Sequence, residues 1–389
     1  MTNNFFEKGV AEIIDKKSLE QKLESKKKLR IKIGVDPTRP DIHLGHAVAL
    51  RVLRKLQDAG HIIIFLIGDY TTKIGDPSGR NTTRPVLDDA EIKKNAKTYF
   101  DQVGLILDLK KTEVRYNSEW FSKMNFNDIL QIAGKFTVAQ IIERDDFEKR
   151  LKGGVDVGLH EMLYPLMQAY DSVILKADVE FGGTDQRFNI LAGRDLQKKM
   201  GQAPQDIVLV GLLIGLDGKE KMSKSLDNYI GITESPKTMF GKTMSIPDSL
   251  IESYFELCTD VTSDDIKKHL DSMKKGKNPR DVKAELAEKI VELYHGKDKA
   301  GEAKEEFFKV FSKKELPSKI PTVNLSGDFE LPLFLLELGA TTSNSEARRL
   351  IAQGAVKIDG AKVTDPKSQI ATHKDMVIQV GKQKYYKIK

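Results

Sequence analysis

Apolar and polar residues alternate from Ile31 to Asp36 (IKIGVD). After the loop PTRPDIH, apolar residues recur every three to four positions through HLGHAVALRVLRKLQDAG. The first pattern predicts a strand and the second an amphipathic helix closed by Gly60. His61–Gly68 (HIIIFLIG) is apolar almost throughout and reads as a strand buried on both faces. Strand, helix and buried strand within about 40 residues make a βαβ unit, hence a parallel sheet with a right-handed crossover. Further strands are expected at Ser172–Ala177 and Ile207–Ile214, the latter running into LDGKEKMSKS.

Between Pro85 and Tyr170 the pattern turns mostly helical, as an insertion between two halves of one sheet. Beyond Gly231 strand patterns stop: Ile251–Leu257 and Val282–Tyr294 are amphipathic, with Val282, Leu286, Ile290, Leu293 and Tyr294 on one helical face. Pro317, Pro321 and Gly327 mark 316–330 as a linker. In the remaining segment, Ser343 and Glu346 have the spacing of a capping box, and VKIDGAKV places two short strands about Asp359-Gly360. The expected organisation is α/β: a parallel-sheet domain over 1–235 with its helical insertion at about 85–170, a helical domain over 236–315, the linker, and a small α+β module over 331–389.

Composition changes this picture in two places. The longest apolar run, Ile62–Ile67, is far short of the roughly 20 residues of a membrane helix, and the N-terminus lacks the apolar stretch of a secretion signal. A single cysteine, Cys258, leaves neither an intramolecular disulfide nor a multi-cysteine zinc site, so a reducing, cytoplasmic compartment is expected. The net charge of +6 is unevenly spread: 331–389 carries ten Lys/Arg against five Asp/Glu, so the rest is nearly neutral. A basic module on a neutral body suits a polyanion partner, and equally a solubilising tail.

Two short motifs carry candidate chemistry. His43-Leu44-Gly45-His46 lies where the first strand meets its helix, and in open α/β sheets ligands bind beyond the strand carboxyl ends, near the free N–H groups of a helix start. His43 and His46 share a side of that turn, and Gly45 lets a flat ring lie against the backbone. A pair of surface histidines fits the tetrapeptide too; as a metal site it lacks a third ligand. Lys221-Met222-Ser223-Lys224-Ser225 follows a buried strand and a Gly/Asp turn. Its two ammonium groups can reach a triphosphate, with one contact at about 4 Å worth roughly 4 kcal/mol before desolvation. In a loop that closes, that attraction can be greater in the transition state. A solvated lysine loop is the alternative.

Together, HLGH and KMSKS resemble the paired signatures of class I aminoacyl-tRNA synthetases. GVDPTRPDIHLGH, IGDYTTKIGDPSGR, YPLMQAYDS, EFGGTDQRFN and LLIGLDGKEKMSKS are similar to the bacterial-type tyrosyl-tRNA synthetases, over essentially the whole chain, with an S4-like RNA-binding segment at the end. The resemblance implies a Rossmann-like catalytic domain. It also implies attack of the tyrosine carboxylate on the α-phosphorus of ATP, then transfer of tyrosine to tRNA(Tyr). No covalent enzyme intermediate forms, so catalysis is positioning plus charge stabilisation.

By resemblance, Thr38, His43 and His46 contact the phosphates, Gly45 belongs to the ATP site, and Lys221 and Lys224 clamp the departing pyrophosphate. Arg80 and Arg84 approach pyrophosphate as well, or form a basic surface loop. Asp185 holds the ribose. Tyr164, Gln168 and Asp171, at i, i+4 and i+7, share one helical face. Asp76, Tyr164, Gln168 and Gln186 surround the substrate ammonium, and Asp171 accepts the phenol hydrogen bond. A site built to bond a hydroxyl rejects the analogue that lacks it, a rule for which tyrosyl-tRNA synthetases are themselves a worked case. Lys32 stands where one subgroup has a tyrosine that shares the phenol contact, which leaves the second phenol partner open.

For tRNA, the resemblance offers Asp248 as a base contact (a helix cap reads equally well) and Arg348, Arg349, Lys357 and Lys362 for phosphates. It implies Mg²⁺ accompanying ATP without a protein metal cage, and a homodimer through the inserted helices near Phe121–Arg150. A tryptophanyl-tRNA synthetase shares both signatures but not YPLMQAYD or the tail. A catalytically inactive RNA-binding descendant is at odds with the intact motifs, and a nicotinamide dehydrogenase lacks its G-x-G-x-x-G.

Overall fold

The sheet is built from β1 (Val10–Ile14), β2 (Arg30–Val35), β3 (Ile62–Ile67), β4 (Thr112–Tyr116), β5 (Val179–Gly183) and β6 (Asp206–Val210). Their spatial order is β1-β6-β5-β2-β3-β4, with β1 antiparallel to β6 and every other neighbouring pair parallel. The computed structural model describes residues 5–25, 27–38, 41–76, 88–311, 320–381 and 384–389. It divides the chain into two compact units, Met1–Lys304 and Glu305–Lys389.

Runs such as IIIFLI and DIVLV form central strands because β-branched side chains pack on both faces; Ile63, Ile64, Ile67, Ile207, Val208 and Leu209 are fully buried. The helix Leu44–Asp58 follows β2 and buries Ala47, Val48, Leu50, Leu53 and Leu56. From β2 the chain order runs to β3 on one side and β5 lies on the other, so the crevice at their carboxyl ends is the topological switch point.

Two strand expectations need correction. Ser172–Ala177 is not a strand: it completes the helix Leu159–Leu175, which ends at Lys176 in the left-handed conformation (φ 48°), and β5 begins at Val179. The apolar run is a buried helix face, and a run this short cannot by itself distinguish the two. The described part of the inserted segment is mostly helical, as expected, and also carries β4, which pairs with β3. Strand β6 stops at Val210, short of the expected Ile214.

Beyond the sheet come the helices Pro236–Met244, Ile251–Cys258, Ser263–Lys274 and Pro279–His295. Their core contains Phe240, Phe255, Leu286 and Ile290, all fully buried. This region, read from the sequence as a separate domain, shares the first compact unit up to Lys304.

The second unit has a five-stranded sheet ordered β10-β9-β12-β13-β7 and a two-stranded pair β11-β8. These strands are β7 (Thr322–Val323), β8 (Asp328–Glu330), β9 (Val356–Ile358), β10 (Ala361–Val363), β11 (Gln369–Ala371), β12 (Val377–Val380) and β13 (Lys384–Ile388). Part of the segment expected as a linker is therefore folded, since β7 pairs with β13 and β8 with β11. The hairpin at Asp359-Gly360 forms with positive φ at both positions, 47° and 81°, the demand of its tight turn. The capping box is half made. Ser343 accepts from the Glu346 amide, but the Glu346 carboxylate takes the Thr342 N–H and hydroxyl.

Candidate active site

A cavity of about 790 Å³ opens at the carboxyl ends of β2 and β5. At one end it is lined by Thr38, His43, Gly45, His46, Lys221 and Lys224, with Asp185 beside them; at the other by Asp76, Tyr164, Gln168, Asp171 and Gln186. Segments up to about 190 residues apart thus converge as the motifs imply. Arg80 and Arg84 lie outside the described residues.

The histidine end is held by backbone pairing. The Leu44 amide donates to Ile230 O (3.0 Å), and the Ile232 amide to Ile42 O (3.0 Å), so HLGH is sewn to the segment after KMSKS. The His43 and His46 rings lie 3.9 Å apart. Gly45 permits this packing: a Cβ there would meet the His43 ring at 3.1 Å. Burial, together with the nearby Lys224 and Lys221 charges, pushes the His46 pKa down to about 3. His43 is held well below the usual range by burial first, then by His46 and both lysines. Both rings are therefore neutral near pH 7, and His43 Nδ1 is buried with no hydrogen-bond partner among the described residues.

In the KMSKS loop Met222 is the anchor, 5% exposed, and its amide bonds Leu213 O at 2.7 Å. Asn228 braces the loop from behind, accepting from the Ser223 amide (2.7 Å) and donating to Lys221 O (3.2 Å). Lys221 Nζ is 2.6 Å from Asp185 Oδ2. Lys224 Nζ sits 4.9 Å over the Tyr99 ring. Both ammonium groups are thus met by the protein's own acidic or aromatic side chains. Asp185 is partly exposed, with 22% of its side-chain surface accessible.

The other end is a closed polar network. Asp171 is 2% exposed; Trp120 Nε1 donates to it at 3.0 Å and Asn117 Nδ2 at 3.4 Å. Burial pushes its pKa up to about 7, against the opposing pull of Lys32, Asn117 and Trp120. Tyr164 OH donates to Asp36 Oδ2 at 2.8 Å. Gln186 Nε2 donates to Asp76 Oδ2 at 2.7 Å, while Asn189 Nδ2 donates to both Gln168 Oε1 (3.0 Å) and Gln186 Oε1 (3.1 Å). Arg144, 4% exposed, faces Asp76 at 3.5 Å and donates to Asn189 Oδ1 at 3.2 Å.

Sequence reasoning missed Asp36, Tyr99, Asn117, Trp120, Arg144 and Asn189. Asn189, at i+3 from Gln186, carried a local signal; the others reach the site only through the fold. Asp248 lies outside the cavity lining. It opens the short 3₁₀ turn Asp248–Leu250 and pairs with Lys283 at 2.8 Å, so it is not the helix cap. Arg348, Arg349, Lys357 and Lys362 are exposed on the second unit. Among the described residues, no group of three or more His, Cys, Asp or Glu side chains could hold a metal ion. No described helix is long and apolar enough to cross a membrane.

The family model for class I tRNA synthetases (W and Y) matches residues 24–312, and that for the tyrosine–tRNA ligase SYY-like C-terminal domain matches 313–388. The tyrosine–tRNA ligase of Thermotoga maritima is 50% identical over 382 residues, covering 98% of this chain and 95% of that one. That of Francisella tularensis is 49% identical over 387 residues, covering 100% and 98%. Among solved structures, a tyrosyl-tRNA synthetase from Archaeoglobus fulgidus complexed with L-tyrosine has a TM-score of 0.62 at 24% identity, covering 77% of this chain and 98% of that one. A tryptophanyl-tRNA synthetase from Plasmodium falciparum reaches 0.59 at 18% identity, covering 75% and 81%. The shared fold therefore does not choose between tyrosine and tryptophan; the end-to-end identity to curated relatives and the C-terminal match do. On that ground the chain belongs to the class I tRNA synthetases and, within them, to the tyrosine–tRNA ligases.

Proposed function

We propose that this cavity activates L-tyrosine with ATP and then esterifies tRNA(Tyr), with the two ends of the cavity doing different work. The observation that carries this is the buried Asp171 acceptor at the far end of the same cavity whose mouth holds Lys221 and Lys224. The tyrosine carboxylate attacks the α-phosphorus of ATP; the bond from that phosphorus to the bridging oxygen breaks, and pyrophosphate leaves. A ribose hydroxyl of the terminal tRNA adenosine then takes the acyl group, and AMP leaves.

Asp171 accepts the phenol hydrogen bond, and Trp120 and Asn117 fix its position. Asp76, Tyr164, Gln168 and Gln186 receive the ammonium group, with Arg144 and Asn189 setting their orientation. The neutral imidazoles of His43 and His46 act as hydrogen-bond partners of the phosphates beside Thr38, with no positive charge to neutralise. Gly45 leaves room for the nucleotide, and Asp185 holds its ribose once Lys221 is drawn to the phosphates. Lys221 and Lys224 then stabilise charge as it develops on the leaving group. Arg80 and Arg84 are proposed to assist there. Mg²⁺ is read as a companion of ATP: the described acids offer no three-ligand cage, and Mg²⁺ is commonly held largely by substrate phosphates and water.

The domain reading is a catalytic unit, an anticodon-facing helical region and an S4-like tail whose Arg348, Arg349, Lys357 and Lys362 bind RNA phosphates. Asp248 is proposed at the anticodon side together with its partner Lys283. The lone buried thiol, Cys258, fits a cytoplasmic setting. A second copy of the chain is proposed to cover the inserted helices. Phe121 and Arg150 at the expected limits are buried, but Phe126 (76%), Leu130 (52%) and Val138 (69%) between them are exposed. The test is tyrosine-dependent ATP–pyrophosphate exchange, on a preparation for which light scattering is expected to give twice the chain mass. Exchange driven by tryptophan instead would overturn the substrate.

A further inference from the structure

Lys32 and Glu180 are opposite one another on the adjacent central strands β2 and β5, with 0% and 1% exposure. Their charged atoms are 2.9 Å apart. A buried ion pair on a floor of isoleucine, valine and phenylalanine is a poor stabilising device: desolvation cancels most of its attraction, and an apolar pair of similar volume often serves the fold as well. Its connections point elsewhere. Lys32 Nζ donates to Ser172 Oγ at 2.8 Å and lies 3.4 Å from Gln168 O; the Ser172 hydroxyl donates to Glu180 Oε2 at 2.8 Å, and Gln205 Nε2 approaches the same oxygen at 2.5 Å. Ser172 follows Asp171 in the chain, and Gln168 stands one turn before it.

We infer that the Lys32–Glu180 pair is a positioning device for tyrosine discrimination: it braces the helix turn that carries Asp171 and sets the electrostatic balance in which that carboxyl works. This rests on the reading of Asp171 as the phenol acceptor. It gives Lys32, at the position that left the second phenol partner open, a role exerted through Asp171. The groups facing Asp171 are Lys32 from β2, Glu180 from β5, and Asn117 and Trp120 beyond β4; Asp36 and Tyr164 share the cavity. Lys32 favours the carboxylate and Glu180 opposes it, so removing them has opposite consequences.

The chain contains one tryptophan, and its indole N–H is bonded to Asp171. Tryptophan fluorescence of the full-length protein therefore reads the titration of that carboxyl without any substrate. The expected native midpoint is about 7. Lys32→Met is expected to move it up, and Glu180→Gln down, each by about one pH unit; Lys32→Arg keeps it. If Lys32→Met does not fold, Lys32→Met/Glu180→Gln, which removes both charges of the pair, takes its place. Its tyrosine-over-phenylalanine ratio of kcat/KM in exchange is then expected to fall about tenfold. Midpoints that move the same way, or an unchanged ratio, would overturn the inference. A native protein lacking tyrosine-dependent exchange while the midpoints still part would instead sink the functional reading and leave the electrostatic coupling standing.

Discussion

The two ends of the cavity are built on opposite principles. At the Asp171 end, proposed to take tyrosine, Asp171, Gln168, Gln186 and Asp76 are held by Trp120, Asn117, Asn189 and Arg144. At the histidine end, proposed to take ATP, the two KMSKS lysines rest on Asp185 and Tyr99, partners that a nucleotide could replace. Recognition of a phenol requires an acceptor that is costly to leave unfilled, so its position must be fixed in advance. Stabilising a leaving group requires the reverse: contacts that become strongest only as charge develops. Lys224 meets Tyr99 at the ring (4.9 Å) and at its hydroxyl (3.4 Å), contacts that on the proposed reading give way to a nucleotide.

The sharpest way to break the comparison is Lys224→Ala. Loss of one transition-state cation is expected to slow tyrosyl-adenylate formation by about 10²–10³, measured in single turnover. Tyrosine affinity, followed by Trp120 fluorescence, is expected to stay within about twofold because uniform binding is untouched. An equal loss in both would mean that the two ends are not separable.

Asp171→Asn probes the fixed end, with a smaller expected loss of about 10–100-fold in kcat/KM for tyrosine and little change for phenylalanine. The native enzyme should also lose tyrosine affinity as pH falls through about 7, where Asp171 takes up a proton and becomes a weaker, uncharged acceptor; the Asn variant should lack that limb. The stability sign is opposite. The raised pKa means the folded state binds the proton more tightly than the unfolded chain, so native stability increases as pH falls from about 7 toward 4. Asp171→Asn is therefore expected to melt higher than the native chain at alkaline pH, with the advantage gone in acid. A melting difference that does not change with pH would rule out this titration.

The two ends were also unequally legible in the sequence. HLGH and KMSKS are contiguous, so their chemistry could be read without knowing what packs on them, and the i, i+4, i+7 spacing put Tyr164, Gln168 and Asp171 on one helix face. What fixes Asp171 could not be read. Asn117 and Trp120 are about 50 residues away and meet it only through β4, an edge strand hidden in a helical-looking stretch. The same helix concealed the error at Ser172–Ala177, where a buried helix end has the composition of a strand. Lys32 and Glu180 did leave a trace: each is a lone charge inside an apolar strand, in IKI and VEF. A charge placed there needs a partner, and the parallel register of β2 and β5 supplies it.

The smallest expected effect tests whether tRNA binding can be separated from both ends. Arg348 and Arg349 lie exposed on the helix Asn344–Ala352 of the second unit, while its buried face is Ala347 and Ile351. Replacing both arginines by alanine leaves that core intact. If they contact phosphates, the change should raise the KM for tRNA about tenfold and reduce the salt dependence of charging, because fewer counterions are released on binding. Phosphate contacts of this kind act through affinity and leave the reacting atoms alone, so amino-acid-dependent exchange should not move. Exchange falling in step with charging would mean that the two arginines matter to the catalytic unit itself, and the division of labour within the cavity would no longer be independent of the second unit.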